Sequence, residues 1–237
     1  MRRLDLTLED AWLNLAVDEA LLDEAEQGGD EVIRFWRFVQ PVVVMGRGSK
    51  ASEEVDVAYC NNHQIPILRR CSGGASIVAG PDCWMYSVVL DLELRQELRC
   101  VDSAHQFVMG QLASALRSQH QEIELEGICD LTVGHKKFSG NSLRIARNHL
   151  IYHGTVLEKV DLVGVSKCLK TAPRQPDYRK GREHDEFITS ISVDARILSD
   201  ALASNYGALQ SRNEWPESHA IKLRDTKYAT DAWTFRH

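Results

Sequence analysis

The stretch RRCSGGASIVAGP, from Arg69 to Pro81, sets two fixed cations directly before four small residues, Ser72, Gly73, Gly74 and Ala75. Small residues let a backbone bend tightly and bring its N–H groups against a ligand, while Arg69 and Arg70 supply positive charge. The chemistry implied is anion binding. The apolar runs on either side, NNHQIPIL and CWMYSVVLDL, read as strands, so the small residues fall at a strand end, where binding loops sit. A tight turn with solvent-facing arginines accounts for the glycines equally well. The chain has no P-loop lysine after these glycines and no Gly-x-Gly-x-x-Gly, so any phosphate here is held by another device.

A second constellation is CDLTVGHKKFSGNSL, residues 129 to 143, which folds on paper as a hairpin turning at Gly134 and His135 in a type II′ turn. That register opposes Val133 to Lys136, Thr132 to Lys137, Leu131 to Phe138 and Asp130 to Ser139. Opposed residues share a face, so Asp130, Thr132, Lys137 and Ser139 gather on a polar side, and Leu131, Val133 and Phe138 on an apolar one. Lys137, beside Gly140, would bring an ammonium close to a bound ligand, although most lysines are ordinary surface residues. In NHLIYHGTVL, Ile151, His153 and Thr155 share a strand face and Gly154 allows close approach; a lone histidine there is more often structural.

These residues need a scaffold. Thr7 followed by Asp10 reads as the cap of a helix carrying Ala11, Leu15, Leu22 and Ala25, which Gly28 and Gly29 stop. The first residues, MRRLDLTLEDAW, read as the charged entry to that helix. VIRFWRF and PVVVMG read as strands, and SEEVDVAYCNNH as a short helix with Ser52 as cap. Residues 101–119, 159–170 and 192–207 read as three further helices, with strands between 122 and 157. Mixed strands and helices without a repeat imply an α+β fold, a mixed β-sheet packed with helices. The 237 residues suit one domain, 1–237. With 34 acidic and 28 basic residues the net charge is -6, which argues against nucleic-acid or anionic-membrane binding. The six cysteines form no Cys-x-x-Cys pair, and there is no signal peptide or membrane-length apolar run, so a reduced cytoplasmic protein is expected.

Taken together, the three motifs resemble the lipoate–protein ligase family within the biotin and lipoate A/B protein ligase group. RRCSGGASIV is similar to Arg-Arg-x-Ser-Gly-Gly-Gly-Ala-Val, CDLTVGHKKFSGNSLR to Asn-Asp-Leu…Gly-x-Lys-x-x-Gly-x-Ala, and HGTVL to His-Gly-Thr-Leu-Leu. NLAVDEALL, VVVMGR and KYATDAWTF are weaker echoes, in family order across almost the whole chain. The resemblance implies the catalytic fold shared with class II tRNA synthetases and biotin ligases, in a short form without the C-terminal accessory domain. It also implies an enzyme that activates lipoate or octanoate with ATP as an acyl-adenylate. The acceptor would be a lysine on a lipoyl-acceptor domain, of glycine-cleavage H type or dehydrogenase E2 type. Lys137 would be catalytic, bridging the acyl carbonyl and the α-phosphate. Arg70 with the backbone of Ser72, Gly73, Gly74, Ala75 and Ser76 would bind phosphate. Asp130 would hold the nucleotide with a magnesium ion, and Ser139, Gly140, His153, Gly154 and Thr155 would line the pocket.

Departures from the pattern leave alternatives. Ala75 stands where a third glycine is usual, Ala79 where many ligases have histidine, and Cys129 where ligases have asparagine. A cysteine beside Asp130 and Lys137 suits an ATP-independent octanoyl or lipoyl transferase working through a thioester, although the hairpin turns Cys129 to its apolar face. The Pro-Cys-Gly segment of one octanoyltransferase family is absent. A non-catalytic ligase-like binding protein is a third reading, against which the presence of both Arg70 and Lys137 counts. The long segment 170–186, with Lys170, Arg174, Arg179, Lys180 and Arg182, would steer an acidic acceptor domain, or else is a solvated loop. A monomer is the simplest assembly.

Overall fold

The computed structural model describes every residue except 160, 172 and 174. The described residues form ten strands: β1 (Arg2–Asp5), β2 (Val32–Trp36), β3 (Val42–Met45), β4 (Ile67–Arg69), β5 (Ile77–Ala79), β6 (Cys83–Asp91), β7 (Glu124–Glu126), β8 (Asp130–Val133), β9 (Lys136–Ile145) and β10 (His149–Leu157). Seven of them make one mixed sheet in the order β1-β2-β6-β10-β9-β8-β7, and the other three a small sheet in the order β4-β3-β5. The helices that matter below are α1 (Ala11–Glu26), α2 (Ala51–Glu54), α3 (Val57–Asn62), α4 (Val101–Arg117), α5 (Leu162–Cys168), α6 (His184–Phe187), α7 (Ala195–Asn205) and α8 (Glu217–Leu223). The α+β expectation is met.

Both faces of the large sheet are covered, which is why β2, β6 and β10 are buried almost throughout instead of alternating. One face packs under α4 and α7 around Tyr86, Val108, Leu112 and Leu198; the other receives α1 and the small sheet around Leu21, Trp36, Val44 and Ile151. Helix α1 starts where Asp10 accepts a hydrogen bond from the Leu13 N–H at 2.9 Å. Its neighbour segment 51–62 divides into two short helices, the second capped by Asp56 rather than Ser52.

Two expectations fail at the N-terminus and in the hairpin. Arg2–Asp5 is an edge strand, not a helix start, because β2 offers it a parallel partner and Leu4 a buried slot. The hairpin turns at Gly134 and His135 as foreseen, but φ is +55° and +59° at the two residues, a type I′ turn in place of II′. The pairs Val133–Lys136 and Thr132–Lys137 hold; beyond them Leu131 faces Ser139 and Asp130 faces Gly140. Phe138 is the extra residue of a β-bulge, a device that re-aims side chains beside sites.

Candidate active site

The bulge decides what stands on the chemical face. Asp130, Thr132 and Lys137 keep it, and the Lys137 Nζ lies 2.7 Å from Asp130 Oδ1. Ser139 leaves it: now opposite Leu131, it is fully buried and accepts a bond from Asn141 Nδ2 at 3.0 Å, so the expectation that it lines the pocket is corrected, while Gly140, expected beside it, does line the cleft. A Cβ on Gly140 would come within 2.9 Å of Lys137 Nζ, so the absence of a side chain is what lets the lysine lie flat there. The second Asp130 oxygen accepts from the Tyr178 hydroxyl at 2.7 Å. Burial and the neighbouring Asp130 charge raise the Tyr178 pKa, which keeps it a proton donor.

Across the cleft, Arg69 and Arg70 have opposite fates. Arg69 is fully buried, and its guanidinium donates to the carbonyls of Gly46, Arg47, Ser49, Trp233 and Thr234 at 2.7 to 3.2 Å. It is a staple, not a ligand cation, and the expectation of two ligand-facing arginines is corrected. Arg70 bonds only to neutral groups: Ser72 Oγ at 3.1 Å, Val44 O at 3.2 Å, Gly73 O at 2.5 Å and Ala75 O at 3.0 Å. No carboxylate forms an ion pair with it among the described residues, and burial lowers its pKa to about 10, which still leaves it cationic at neutral pH. The backbone N–H groups of Gly73, Gly74 and Ala75, all exposed, have no acceptor within the protein among the described residues. Ser76 differs from expectation, because its N–H and hydroxyl both donate to Glu54 Oε2, at 2.8 and 2.7 Å.

The loop is held in shape from behind. Ser72 Oγ lies 2.5 Å from His153 Nε2, and His153 Nδ1 lies 3.0 Å from Asp18 Oδ2. Since a carboxylate only accepts, Nδ1 carries the proton, and Nε2 accepts from the serine hydroxyl. Asp18 also takes Arg34 Nη1 at 2.9 Å and the Ser87 hydroxyl at 2.7 Å. Burial pushes its pKa up, but His153, Arg34 and Ser87 outweigh burial and hold it below the ordinary carboxylate value. This Ser–His–Asp chain resembles a nucleophilic triad in its distances, yet Ser72 is 1 % exposed and absent from the lining of the main cleft. It positions the loop. Sequence reasoning passed over Asp18, although a polar pair at Asn14 and Asp18, one turn apart on the helix face that carries Ala11, Leu15 and Leu22, was a usable signal.

The remaining expected residues converge. Thr155 Oγ1 sits 3.3 Å from both N and O of Gly140, and Gly154 lines the cleft beside Asn141. Cys129 also lines the cleft, contrary to the apolar placement, and its thiol donates to Asn141 O at 2.9 Å. Burial and the adjacent Asp130 raise its pKa, which opposes thiolate formation.

The cleft encloses about 1290 Å³ and ends in an apolar recess of Leu15, Trp36, Val44 and Met85. A second apolar recess, of about 120 Å³, adjoins the cleft at Lys137 and is lined by Ile77, Val78, Leu157, Leu169, Phe187 and Ile188. Lys137 and Gly140 line both. Residues 175–188 cover this end, joined to β9 by a bridge between Lys137 and Ile188 and by the Thr189 N–H donating to Lys137 O at 2.8 Å. Of the cations expected in 170–186, Arg174 lies outside the described residues. Arg179 is 5 % exposed, not the surface charge expected, and Arg182 donates to the carbonyls of His135 and Tyr178; Lys170 and Lys180 are exposed. Among the described residues the only grouping with metal-ligand geometry, Glu124, Glu126 and His135, lies outside the cleft. No helix among them is long and apolar enough to cross a membrane.

Comparison with known proteins agrees with this geometry. Lipoate–protein ligase 1 of Staphylococcus aureus is 29% identical over 96% of this chain and 71% of its own length. The octanoyltransferase LipM of Carboxydothermus hydrogenoformans is 28% identical over 94% of both chains. In fold, the chain superposes on a bipartite lipoate protein ligase of Thermoplasma acidophilum, described with its E2 lipoyl domain, with a TM-score of 0.80, covering 99% and 95% of the two chains at 24% identity. It matches a lipoate–protein ligase A bound with ATP at a TM-score of 0.81, covering 99% and 98% at 24% identity. Residues 10–199 match the lipoyl protein ligase A/B catalytic domain, and the chain belongs to that family of enzymes.

Proposed function

We propose that the chain activates lipoate or octanoate with ATP and transfers the acyl group to a lysine of a lipoyl-acceptor domain. The observation that carries this reading is the three unpaired N–H groups of Gly73, Gly74 and Ala75, set beside a buried Arg70 with no carboxylate partner. Such a cradle suits a phosphate, and Lys137 stands between two apolar recesses that suit the two halves of an acyl-adenylate. The acyl tail takes the recess at Trp36, and the nucleoside the recess at Phe187. The acyl carboxylate oxygen attacks the α-phosphorus, and the bond to pyrophosphate breaks. The acceptor amine then attacks the acyl carbonyl carbon; AMP leaves with the bonding electron pair, and the amine loses a proton. Lys137 acts electrostatically in both steps, turning from Asp130 to the oxygens where charge accumulates. His153 and Asp18 keep Ser72, and with it the loop, in place.

Asp130 gives one oxygen to Lys137 and the other to the Tyr178 hydroxyl; with Lys137 turned to the acyl-phosphate, the freed Oδ1 is the carboxylate oxygen that would help hold a magnesium ion on the nucleotide, where the ion would supply further positive charge to the phosphates.

The ATP-independent thioester route is favoured by one fact, the presence of Cys129 on the cleft wall; its raised pKa and its bond to Asn141 O oppose it. Transfer to an acceptor domain separates the readings, using free lipoate with and without ATP, against octanoyl carrier protein. The expected result is ATP-dependent transfer from the free acid, loss of about 10²–10³-fold in Lys137→Ala, and near-normal rates in Cys129→Ala. Transfer that needs Cys129 and no ATP overturns the proposal in favour of the transferase. Loss of both ATP–pyrophosphate exchange and all transfer in the wild type points to a binding protein.

A further inference from the structure

An acceptor lysine arrives as an ammonium, and its nitrogen has no lone pair to give until a base takes a proton. Beside the phosphate cradle stands a carboxylate that the steps above do not use. Glu54, at the end of α2, accepts the Ser76 N–H at 2.8 Å, the Ser76 hydroxyl at 2.7 Å and the Ser49 hydroxyl at 3.0 Å, which fixes it one residue beyond the unpaired N–H groups of Gly73, Gly74 and Ala75. All three bonds fall on Oε2. Oε1 has no hydrogen-bond partner among the described residues, yet it is not one of their closed-off polar atoms, and Glu54 lines the cleft and the adjoining recess together with Lys137. The backbone behind it is also tied, since Glu54 O accepts the Lys170 N–H at 2.9 Å. A carboxylate at the rim of an anion cradle opposes a phosphate and suits a cation. The other carboxylates of the cleft are placed differently: Asp130 is held by Lys137 and Tyr178, Glu53 pairs with Lys50 at 2.8 Å, and Asp177 is exposed on the cover.

We propose that Glu54 is the proton acceptor of the transfer step, receiving the ammonium of the acceptor lysine on Oε1. The inference rests on the nucleotide-activating reading above and adds a catalytic residue to that same site. Glu54 takes one proton from the ammonium, which frees the nitrogen lone pair. The N–C bond to the acyl carbon then forms, the C–O bond to AMP breaks with its electron pair going to the phosphate, and the second nitrogen proton passes to that departing phosphate. Glu54 afterwards returns its proton to water. Through these changes Oε2 keeps the bonds to Ser76 and Ser49, so the base stays in place while Oε1 changes partner. Arg70 and Lys137 answer the phosphate, and Glu54, of opposite charge, answers the nucleophile that attacks it.

The test compares the full-length wild type with Glu54→Gln, whose amide oxygen still accepts from Ser76 and Ser49 but takes no proton. Three rates are measured: octanoate-dependent ATP–pyrophosphate exchange, transfer from octanoyl-adenylate to the lysine of an acceptor domain, and transfer from octanoyl-adenylate to hydroxylamine, which is a neutral amine at neutral pH. In Glu54→Gln the exchange and the hydroxylamine reaction are expected to match the wild type, while transfer to lysine slows about 10²–10⁴-fold, the range for a lost general base. Equal slowing with lysine and hydroxylamine overturns the inference, because the residue then acts on the acyl group or the loop and not on the proton. So does equal loss of exchange and transfer, which assigns Glu54 to holding Ser76, and so does transfer to lysine at the wild-type rate. Each of these leaves the activating reading standing, since the wild type still exchanges pyrophosphate. A wild type with no exchange at all overturns both.

Discussion

The loop at residues 69–76 and the cover at residues 175–188 enclose the same cleft, yet they treat polar groups in opposite ways. The loop is tied at nearly every side chain: Arg69 to five carbonyls, Ser72 to His153, Ser76 to Glu54, and the carbonyl of Gly73 to Ser142 at 2.8 Å. Only ligand-facing N–H groups are left over. The cover has fewer ties, and one of its buried side chains, Arg179, has a donor with no partner. The difference teaches where shape is supplied in advance and where a ligand completes it. A prebuilt cradle lowers the cost of organising donors around a phosphate, whereas an incomplete cover waits for its occupant.

The comparison breaks most severely if the ties behind the loop are cut. Asp18→Asn removes the charge that answers the buried Arg34 and the proton acceptor that fixes the His153 tautomer. The loss should be about 3–5 kcal/mol of stability, the usual cost of orphaning one member of a buried pair, read as a fall in the urea midpoint. A pH series adds the sign. The folded-state pKa of Asp18 lies below its unfolded value, so its stabilisation is fully present above about pH 4 and fades as pH falls through the folded value. The wild-type midpoint should therefore drop below pH 4 more steeply than that of Asp18→Asn; parallel curves would remove Asp18 from the account.

Arg69→Met is the next largest perturbation. It leaves buried carbonyls without donors and should cost about 2–3 kcal/mol, with a matching rise in the KM for the nucleotide as the loop loosens. A variant as stable as the wild type would show that the loop does not depend on its staple. The smallest effect belongs to the cover. Lys180→Glu reverses an exposed charge and is expected to raise the KM for an acidic acceptor domain a few-fold at low salt, with the difference vanishing at high salt. Exchange of ATP with pyrophosphate should not change; equal loss of both steps would sink the steering role of this residue.

Residue type and spacing made the glycine loop, the turn at Gly134, the strand at His153 and the long helices readable, because each rests on local rules of turn chemistry and periodicity. The bulge at Phe138 was not readable. Period-two alternation carries a register forward from the turn, and one inserted residue then moves Ser139 to the core and Gly140 to the site. Nor does the pair Arg69–Arg70 disclose which arginine is buried as a staple, since that depends on carbonyls 164 and 165 residues away. Arg179 was misread as a surface charge for the same reason: composition marks a basic segment, and only the packing of Phe187 shows which cation is drawn inward.

The Arg69 staple has a consequence in time as well as in space. Bonds from Arg69 to the carbonyls of Trp233 and Thr234, and from Trp233 Nε1 back to Arg69 O at 2.9 Å, close an interval of 164 to 165 residues. Chain synthesis runs from the N-terminus, so the anion cradle cannot reach its final shape on the ribosome until residues 233 and 234 have emerged. However early residues 69–76 are made, the cradle they form waits for a segment made more than 160 residues later before it can hold a phosphate.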